Sequence, residues 1–186
     1  MANETIVIDL ARDWTDYIKL VADVLGPLLT ALFGYWIFQL TKNIEQSQWR
    51  SQKLIEKRIE IWDKAAPTIN NIYCYCMRIG AWKDYSPPEV ISWKRDIDQV
   101  IHINSPYFSS EFYKCYQQFM DVCFATYQGH GVDAKLKTPL EEHKKVRNDW
   151  QDNWNNCFYE TTSREEDFIN KYHALQHQLS AELKNG

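Results

Sequence analysis

The longest uninterrupted apolar stretch of the chain runs from Val24 to Thr41 (VLGPLLTALFGYWIFQLT) and contains no Asp, Glu, Lys, Arg or His. A helix of this length would reach roughly 27 Å, close to the hydrocarbon thickness of a bilayer. Tyr35 and Trp36 lie toward its carboxyl end, where amphipathic rings suit a membrane interface. The pattern predicts a transmembrane helix over residues 24–41. The buried central helix of a soluble domain is the alternative, because glycine, proline, threonine and glutamine make the stretch only moderately apolar.

Basic residues are unevenly distributed around this stretch. Arg12 and Lys19 precede it, whereas five basic residues follow it closely. Those five are Lys42, Arg50, Lys53, Lys57 and Arg58. The positive-inside rule therefore places the carboxyl-terminal side in the cytoplasm. The predicted organisation is an amphipathic segment over residues 1–23, the span over residues 24–41 and a cytoplasmic domain over residues 42–186.

One face of the predicted span carries small residues at a spacing of four: Ala22, Gly26, Thr30 and Gly34. Such a stripe lets helix backbones approach closely, as in small-xxx-small packing. It favours a homo-oligomer that associates through the span. The alternative is the ordinary glycine and threonine content of a membrane helix.

The rest of the chain shows helical rather than strand periodicity. Capping boxes of the Ser/Thr-x-x-Glu type begin at Ser86, Thr138 and Ser163. The predicted helices cover about residues 43–83, 86–104, 110–128, 138–158 and 163–183. The expected fold is all-α, with a single N-terminal transmembrane helix followed by a cytoplasmic bundle of about five helices.

Charge in the predicted cytoplasmic domain is nearly balanced. After residue 41 the chain carries nineteen basic and twenty acidic side chains, a formal net charge of −1. This balance argues against a general binder of long nucleic acid, which needs a positive excess. It leaves room for a small anionic ligand, because a local pocket needs only a few cations.

No catalytic or metal-binding motif stands out in the sequence. The chain has five cysteines, an odd number that argues against a disulfide framework. The Cys74-x-Cys76 spacing does not match a zinc site. His173 and His177 share a helix face, but no nearby acid or cysteine completes a metal site. We therefore expect no enzyme activity, no cofactor and no metal.

The longest predicted non-helical segment, residues 127–138 (YQGHGVDAKLKT), offers the best local chemistry for an anion. Its aromatic rings could stack on a base, and its lysines and exposed backbone N–H groups attract negative charge. The candidate ligand-binding residues here are Tyr127, His130, Gly131, Lys135 and Lys137. A free helix N-terminus at Thr138 is expected to add to this attraction. The alternative is an ordinary connection between helices with solvated lysines.

Two further candidates lie outside this segment. Arg147 follows Lys144 and Lys145 on the next predicted helix and extends the basic group. Trp82 belongs to a second mixture of aromatic rings and cations around the Ser86 cap. Packing of the tryptophan in the core, with the neighbouring lysine at the surface, is the alternative for that cluster.

The layout resembles a group of small bacterial membrane proteins found in antiphage defence. The resemblance covers the whole chain and includes the segments KRIEIWDKAAPTINNIYCY, SPPEVISWKRDID and FSSEFYKCYQQFMDVCFATYQGHGVDAKLKT. In layout it is similar to the CRISPR-associated membrane effectors that type III systems activate with cyclic oligoadenylate. The resemblance implies an inner-membrane protein whose helical domain binds cyclic tetra-adenylate as an oligomer, after which the spans disturb the membrane. It transfers no individual ligand residue.

Two functions follow from these patterns. The first is a ligand-gated membrane effector, with a cyclic oligonucleotide as its partner and membrane lipid around its span. The second is a membrane-tethered protein-interaction module that needs no small molecule.

Overall fold

The computed structural model describes residues 2–126 and 129–184, with side chains described from residue 14 onward. Helix accounts for 79% of the structure, and the strands in the described ranges have two residues each. The predicted all-α class is therefore confirmed. In chain order the elements are α1 (Ala2–Met77), α2 (Pro87–Ile103), α3 (Ser110–Cys123), β1 (Phe124–Ala125), β2 (Lys135–Leu136), α4 (Leu140–Lys145) and α5 (Glu165–Lys184).

The chain divides into two compact units, Met1–Arg50 and Ser51–Gly186. The described part of the first unit is helical throughout, and its described side chains are almost all exposed. The second unit holds the remaining helices and the hydrophobic core. The predicted boundaries after residues 23 and 41 both fall inside the first unit, and they stay predictions.

Helix α1 ends at Met77, earlier than the predicted end near Lys83. The end is a Schellman motif, in which the N–H of Ile79 donates to the Cys74 carbonyl at 3.0 Å. Arg78 takes the left-handed position of this motif, with a φ of 58°. Glycine usually occupies that position, because a side chain there is sterically strained.

Contacts with distant segments offset this strain at Arg78. Its guanidinium pairs with Glu142 at 2.6 Å, and it also forms an ion pair with Glu165. Those carboxylates belong to α4 and to the start of α5. Helical periodicity carries no information about them, which is why the pattern predicted a longer helix.

The core lies between the last turns of α1 and the helices α2, α3 and α5. Apolar residues at helical spacing, such as Ile69, Ile72 and Cys76 on α1, are fully buried. Helix α3 packs mainly against α5. The largest fully buried side chains are Tyr75, Tyr116, Phe112, Phe119, Phe124 and Phe168. Burial of one such ring contributes about 1.5–3 kcal/mol, so these aromatic residues dominate the core.

The predicted helix over residues 138–158 is wrong: α4 has only six residues, Leu140–Lys145. Thr138 does not cap it, and the expected free helix N-terminus there is absent. The Thr138 side chain is instead fully buried, and its hydroxyl donates to the Cys76 carbonyl at 3.0 Å. The capping box at Ser86 is confirmed, since the backbone N–H of Ser86 donates to Glu89 Oε2 at 3.3 Å.

Long-range backbone hydrogen bonds explain the loss of this helix. Strand β2 pairs antiparallel with β1, so that Leu136 lies opposite Phe124. The N–H of Tyr159 also donates to the Leu136 carbonyl at 2.8 Å, and that of Ser163 donates to the Lys137 carbonyl at 2.9 Å. A helix over this region would forfeit these bonds.

A buried ion pair joins three parts of the second unit. Arg58 Nη2 lies 3.0 Å from Glu182 Oε2, and the two side chains are only 11% and 5% exposed. Arg58 also donates to the carbonyls of Tyr107 (2.7 Å) and Glu182 (2.6 Å). Glu182 in turn accepts the N–H of Ser109 at 3.2 Å. The pair thereby links α1, α5 and the connection between α2 and α3.

Candidate functional site

The first candidate feature is the apolar part of α1. Its most hydrophobic window of eighteen residues has a mean hydropathy of 1.6, and none of that window is buried inside the protein. By length and composition, α1 has one segment able to cross a membrane. Large exposed apolar side chains lie along it, including Leu28 (56% exposed), Leu32 (65%) and Trp36 (62%). The alternative of a buried central helix does not fit this exposure.

Polar side chains within this apolar segment are paired inside the helix. Thr30 Oγ1 donates to the Gly26 carbonyl at 2.8 Å, and Gln39 Nε2 donates to the Tyr35 hydroxyl at 3.0 Å. Pairing of this kind lowers the cost of placing a polar group in hydrocarbon. A Cβ at Gly26 or Gly34 would meet no neighbour, so self-association through the small residues stays a prediction.

The second candidate feature is a cleft in the Ser51–Gly186 unit, hereafter the Arg95 cleft. It has a volume of about 230 Å³. One wall is α2, with Pro88, Ile91 and Arg95; the others are residues 132–135 and residues 156–157. Three segments that are distant in sequence thus meet at one site, which contains the Lys135 candidate.

Two cations and one acid set the charge of this cleft. Arg95 Nη2 lies 2.6 Å from Asp133 Oδ2, and both side chains are mainly exposed, at 59% and 64%. Lys135 lines the same cleft. Burial raises the pKa of the Cys157 thiol there, so the thiol stays protonated at neutral pH. An anion bound in the cleft would contact two cations, and it would compete with Asp133 for Arg95.

The other loop candidates are placed differently. His130 and Gly131 are exposed, and Gly131 has a φ of 75° that favours glycine. Lys137 points its ammonium group at the Asp121 carbonyl, to which it donates at 2.7 Å. Tyr127 lies outside the described residues. Among the loop candidates that the structure describes, Lys135 alone lines the Arg95 cleft.

Trp82 and Arg147 make internal contacts instead of lining the cleft. The Trp82 side chain is buried, with its ring edge-on to His143 at a centroid distance of 4.9 Å. The Arg147 side chain is 8% exposed and lies over the Trp154 ring, 5.0 Å from its centroid. Two hydrogen bonds to Asp149 raise the pKa of Arg147 above its ordinary value. These contacts favour a structural role for both residues.

The sequence pattern does not single out His143, yet its surroundings strongly lower its pKa. It is fully buried and stacks on Tyr75 at a centroid distance of 4.6 Å. Burial, and then the positive charges of Arg78 and Arg147, lower its pKa to about 3. No signal local to His143 in the sequence reveals this environment, because its neighbours come from other segments.

The Thr138–His143 pair has the composition of a nucleophile and a base, but not their geometry. The Thr138 hydroxyl donates to the Cys76 carbonyl, so at 3.1 Å it accepts the Nε2–H of His143. Both side chains have no exposed surface, and His143 Nδ1 has no hydrogen-bond partner. The pair therefore holds α4 onto the end of α1 and offers no accessible nucleophile.

Across residues 14–126 and 129–184, no group of three or more His, Cys, Asp or Glu side chains is placed to hold a metal ion. His173 and His177 are both exposed on α5. Comparisons of the chain with models of protein families, with curated proteins and with solved structures each gave no match. The apolar segment of α1 and the Arg95 cleft are the two features of the described chain that bear on function.

Proposed function

We propose that this protein is a single-pass inner-membrane effector of antiviral defence whose cytoplasmic helical unit binds a cyclic oligonucleotide. The observation that carries the membrane part is the unburied apolar segment of α1. In water, such a surface would cost about 25 cal/mol for each Å² exposed, so it needs lipid or another protein around it. The cytoplasmic orientation follows from the basic residues after the span.

The Arg95 cleft supports the ligand part of the proposal. Arg95 and Lys135 supply positive charge, and Pro88, Ile91 and Val132 supply apolar surface against which a base or sugar can pack. The proposed role is binding rather than catalysis. Ligand binding in assembled copies is then proposed to alter the packing of the spans and to disturb the bilayer.

The size of the cleft limits how a cyclic oligonucleotide could bind. Drug-sized ligands occupy pockets of roughly 300–1,000 Å³, whereas this cleft has about 230 Å³. The cleft of one copy can therefore enclose a phosphate and part of one nucleoside, and the rest of a four-nucleotide ring would lie outside it. We propose that such a ring bridges clefts on several copies, which matches the proposed homo-oligomer.

Calorimetric titration of the full chain in lipid nanodiscs with cyclic tetra-adenylate tests the ligand. We expect saturable binding that Arg95→Gln or Lys135→Gln weakens about tenfold or more, because each removes a charge-assisted hydrogen bond worth about 1.5–3 kcal/mol. Lys145→Gln is the matched control, since Lys145 is exposed on α4 and lies outside the cleft.

Absence of saturable binding to every cyclic oligoadenylate tested would reject the nucleotide ligand. That result would favour the second function, a membrane-tethered interaction module. Equal binding by all three variants would instead show that the ligand binds somewhere other than the Arg95 cleft.

A further inference from the structure

The cations that follow the apolar segment of α1 fall into two groups. Lys53 and Lys57 each form an ion pair within the helix, with Glu56 at 2.6 Å and with Glu60 at 2.8 Å. Lys42 and Arg50 have no ion-pair partner in the part of the chain that the structure describes, although Glu45 is close in sequence to Lys42. These two cations are thus available to bind an anion from outside the protein.

An exposed tryptophan adjoins the unpaired cations. Trp49 is 62% exposed. It and Arg50 follow Lys42 by seven and eight residues, about two helical turns, so all three side chains lie on one side of α1. A tryptophan ring beside cations is typical of the boundary between lipid and water, where the ring is apolar and its N–H remains hydrated.

Helix geometry directs these side chains toward the bilayer. Side chains of an α-helix tilt toward its N-terminus and cover the preceding turn. Residues that follow a span therefore reach back toward the membrane. Arg50 lies roughly 12 Å along the axis beyond Lys42, but its long side chain can recover about half of that distance by snorkelling. Lys19 precedes the span, so the same tilt directs its side chain away from the bilayer.

We propose that Lys42, Trp49 and Arg50 form a contact site for anionic lipid headgroups. The two cations bind the headgroup phosphates, and the Trp49 ring packs among the headgroups beside Arg50. This inference depends on the proposed membrane insertion and adds the lipid class that the helix prefers. The site is assigned to Lys42 and Arg50 because these cations, the nearest to the span, lack a partner in the described part of the protein. The next two, Lys53 and Lys57, already pair with glutamates.

The test uses the full chain reconstituted in vesicles that contain brominated lipid, which quenches tryptophan fluorescence on contact. Subtracting the signal of Trp49→Phe from that of the intact chain isolates Trp49 from the other tryptophans. We expect brominated phosphatidylglycerol to associate near Trp49 in preference to brominated phosphatidylcholine. Each basic residue near a membrane surface contributes about fivefold in affinity, so two should give a preference of roughly 25-fold at most.

The Lys42→Gln/Arg50→Gln variant should lose this preference, and 0.5 M salt should reduce it by screening. The matched control is Lys53→Gln/Lys57→Gln, which removes two cations that already have partners and should keep the preference. Equal quenching by both lipids in the intact chain, or equal loss in both double variants, would overturn the proposed contact site. Failure of the chain to float with vesicles would reject the membrane proposal as well, so the two failures are distinguishable.

Discussion

At the scale of single residues, the second unit contains polar side chains that are buried in the protein. His143 is the clearest example, because it is fully buried against Tyr75 with Nδ1 unpaired. A charged imidazolium in this position would face the desolvation cost and the repulsion of two arginines. Folding therefore requires the neutral ring, and this requirement makes stability depend on pH.

The pH dependence has a defined sign. The pKa of His143 is about 3 in the folded protein, below its ordinary value of 6.5. Its contribution to stability is therefore fully present above pH 6.5 and is lost as the pH falls toward 3. Between pH 6 and pH 5 we expect the free energy of unfolding to fall by up to about 1.4 kcal/mol from this residue.

Chemical denaturation of the intact chain and of His143→Phe at several pH values measures this effect. The phenylalanine variant keeps an aromatic ring against Tyr75, and the Thr138 hydroxyl still has the Cys76 carbonyl to bind. Its unfolding free energy should show a shallower pH dependence over the same interval. Identical slopes for the two proteins would contradict a buried neutral His143.

At the scale of elements, polar contacts between distant segments determine where helices end and how they join. The Schellman motif and the ion pairs of Arg78 end α1, and backbone bonds to β2 keep residues 146–163 from continuing α4. The Arg58–Glu182 pair joins α1 to the last turn of α5. Because Glu182 is buried and the Arg58 side chain is only 11% exposed, breaking the pair should cost more than losing a surface salt bridge.

Replacing one partner of this pair should leave a buried charge uncompensated. We expect Glu182→Met to lower the free energy of unfolding by roughly 3 kcal/mol. The double variant Arg58→Met/Glu182→Met should be more stable than Glu182→Met alone, because the uncompensated cation is then absent. Urea denaturation followed by circular dichroism measures both values.

Glu60→Met is the matched control for this experiment, since Glu60 lies on the exposed surface of α1, where it pairs with Lys57 at 2.8 Å and with Lys64 at 2.7 Å. Exposed pairs of this type contribute about 0–1 kcal/mol. A Glu182→Met variant as stable as the control would contradict a structural role for the buried pair.

At the scale of the whole molecule, the two units differ in how their apolar side chains are placed. In the Ser51–Gly186 unit they form a buried core, whereas in the described part of the Met1–Arg50 unit they remain exposed. A helix that is apolar on all sides and buried in nothing is typical of a membrane span. The second unit has the composition and core of an ordinary globular domain.

Membrane fractionation tests this difference. Without detergent, the full chain should sediment with membranes and resist extraction by alkaline carbonate. Leu28→Lys/Leu32→Lys should release much of it, because each lysine at a span centre costs about 2.5–3.5 kcal/mol for insertion. Ser47→Lys, on an exposed position after the span, is the control and should leave the protein in the membrane fraction. An intact chain found in the soluble fraction would contradict the span.

The sequence alone determined the helical class, the apolar segment of α1 and the start of α2 at its capping box. These features depend on interactions over a few residues, or on the chemistry of consecutive side chains, and a linear pattern records both. Only the tertiary structure decided that α1 ends at Met77, that Thr138 and His143 are buried together, and that Arg95, Asp133 and Lys135 share one cleft. Each of these depends on groups brought together from distant parts of the chain, whose pairing no local periodicity encodes.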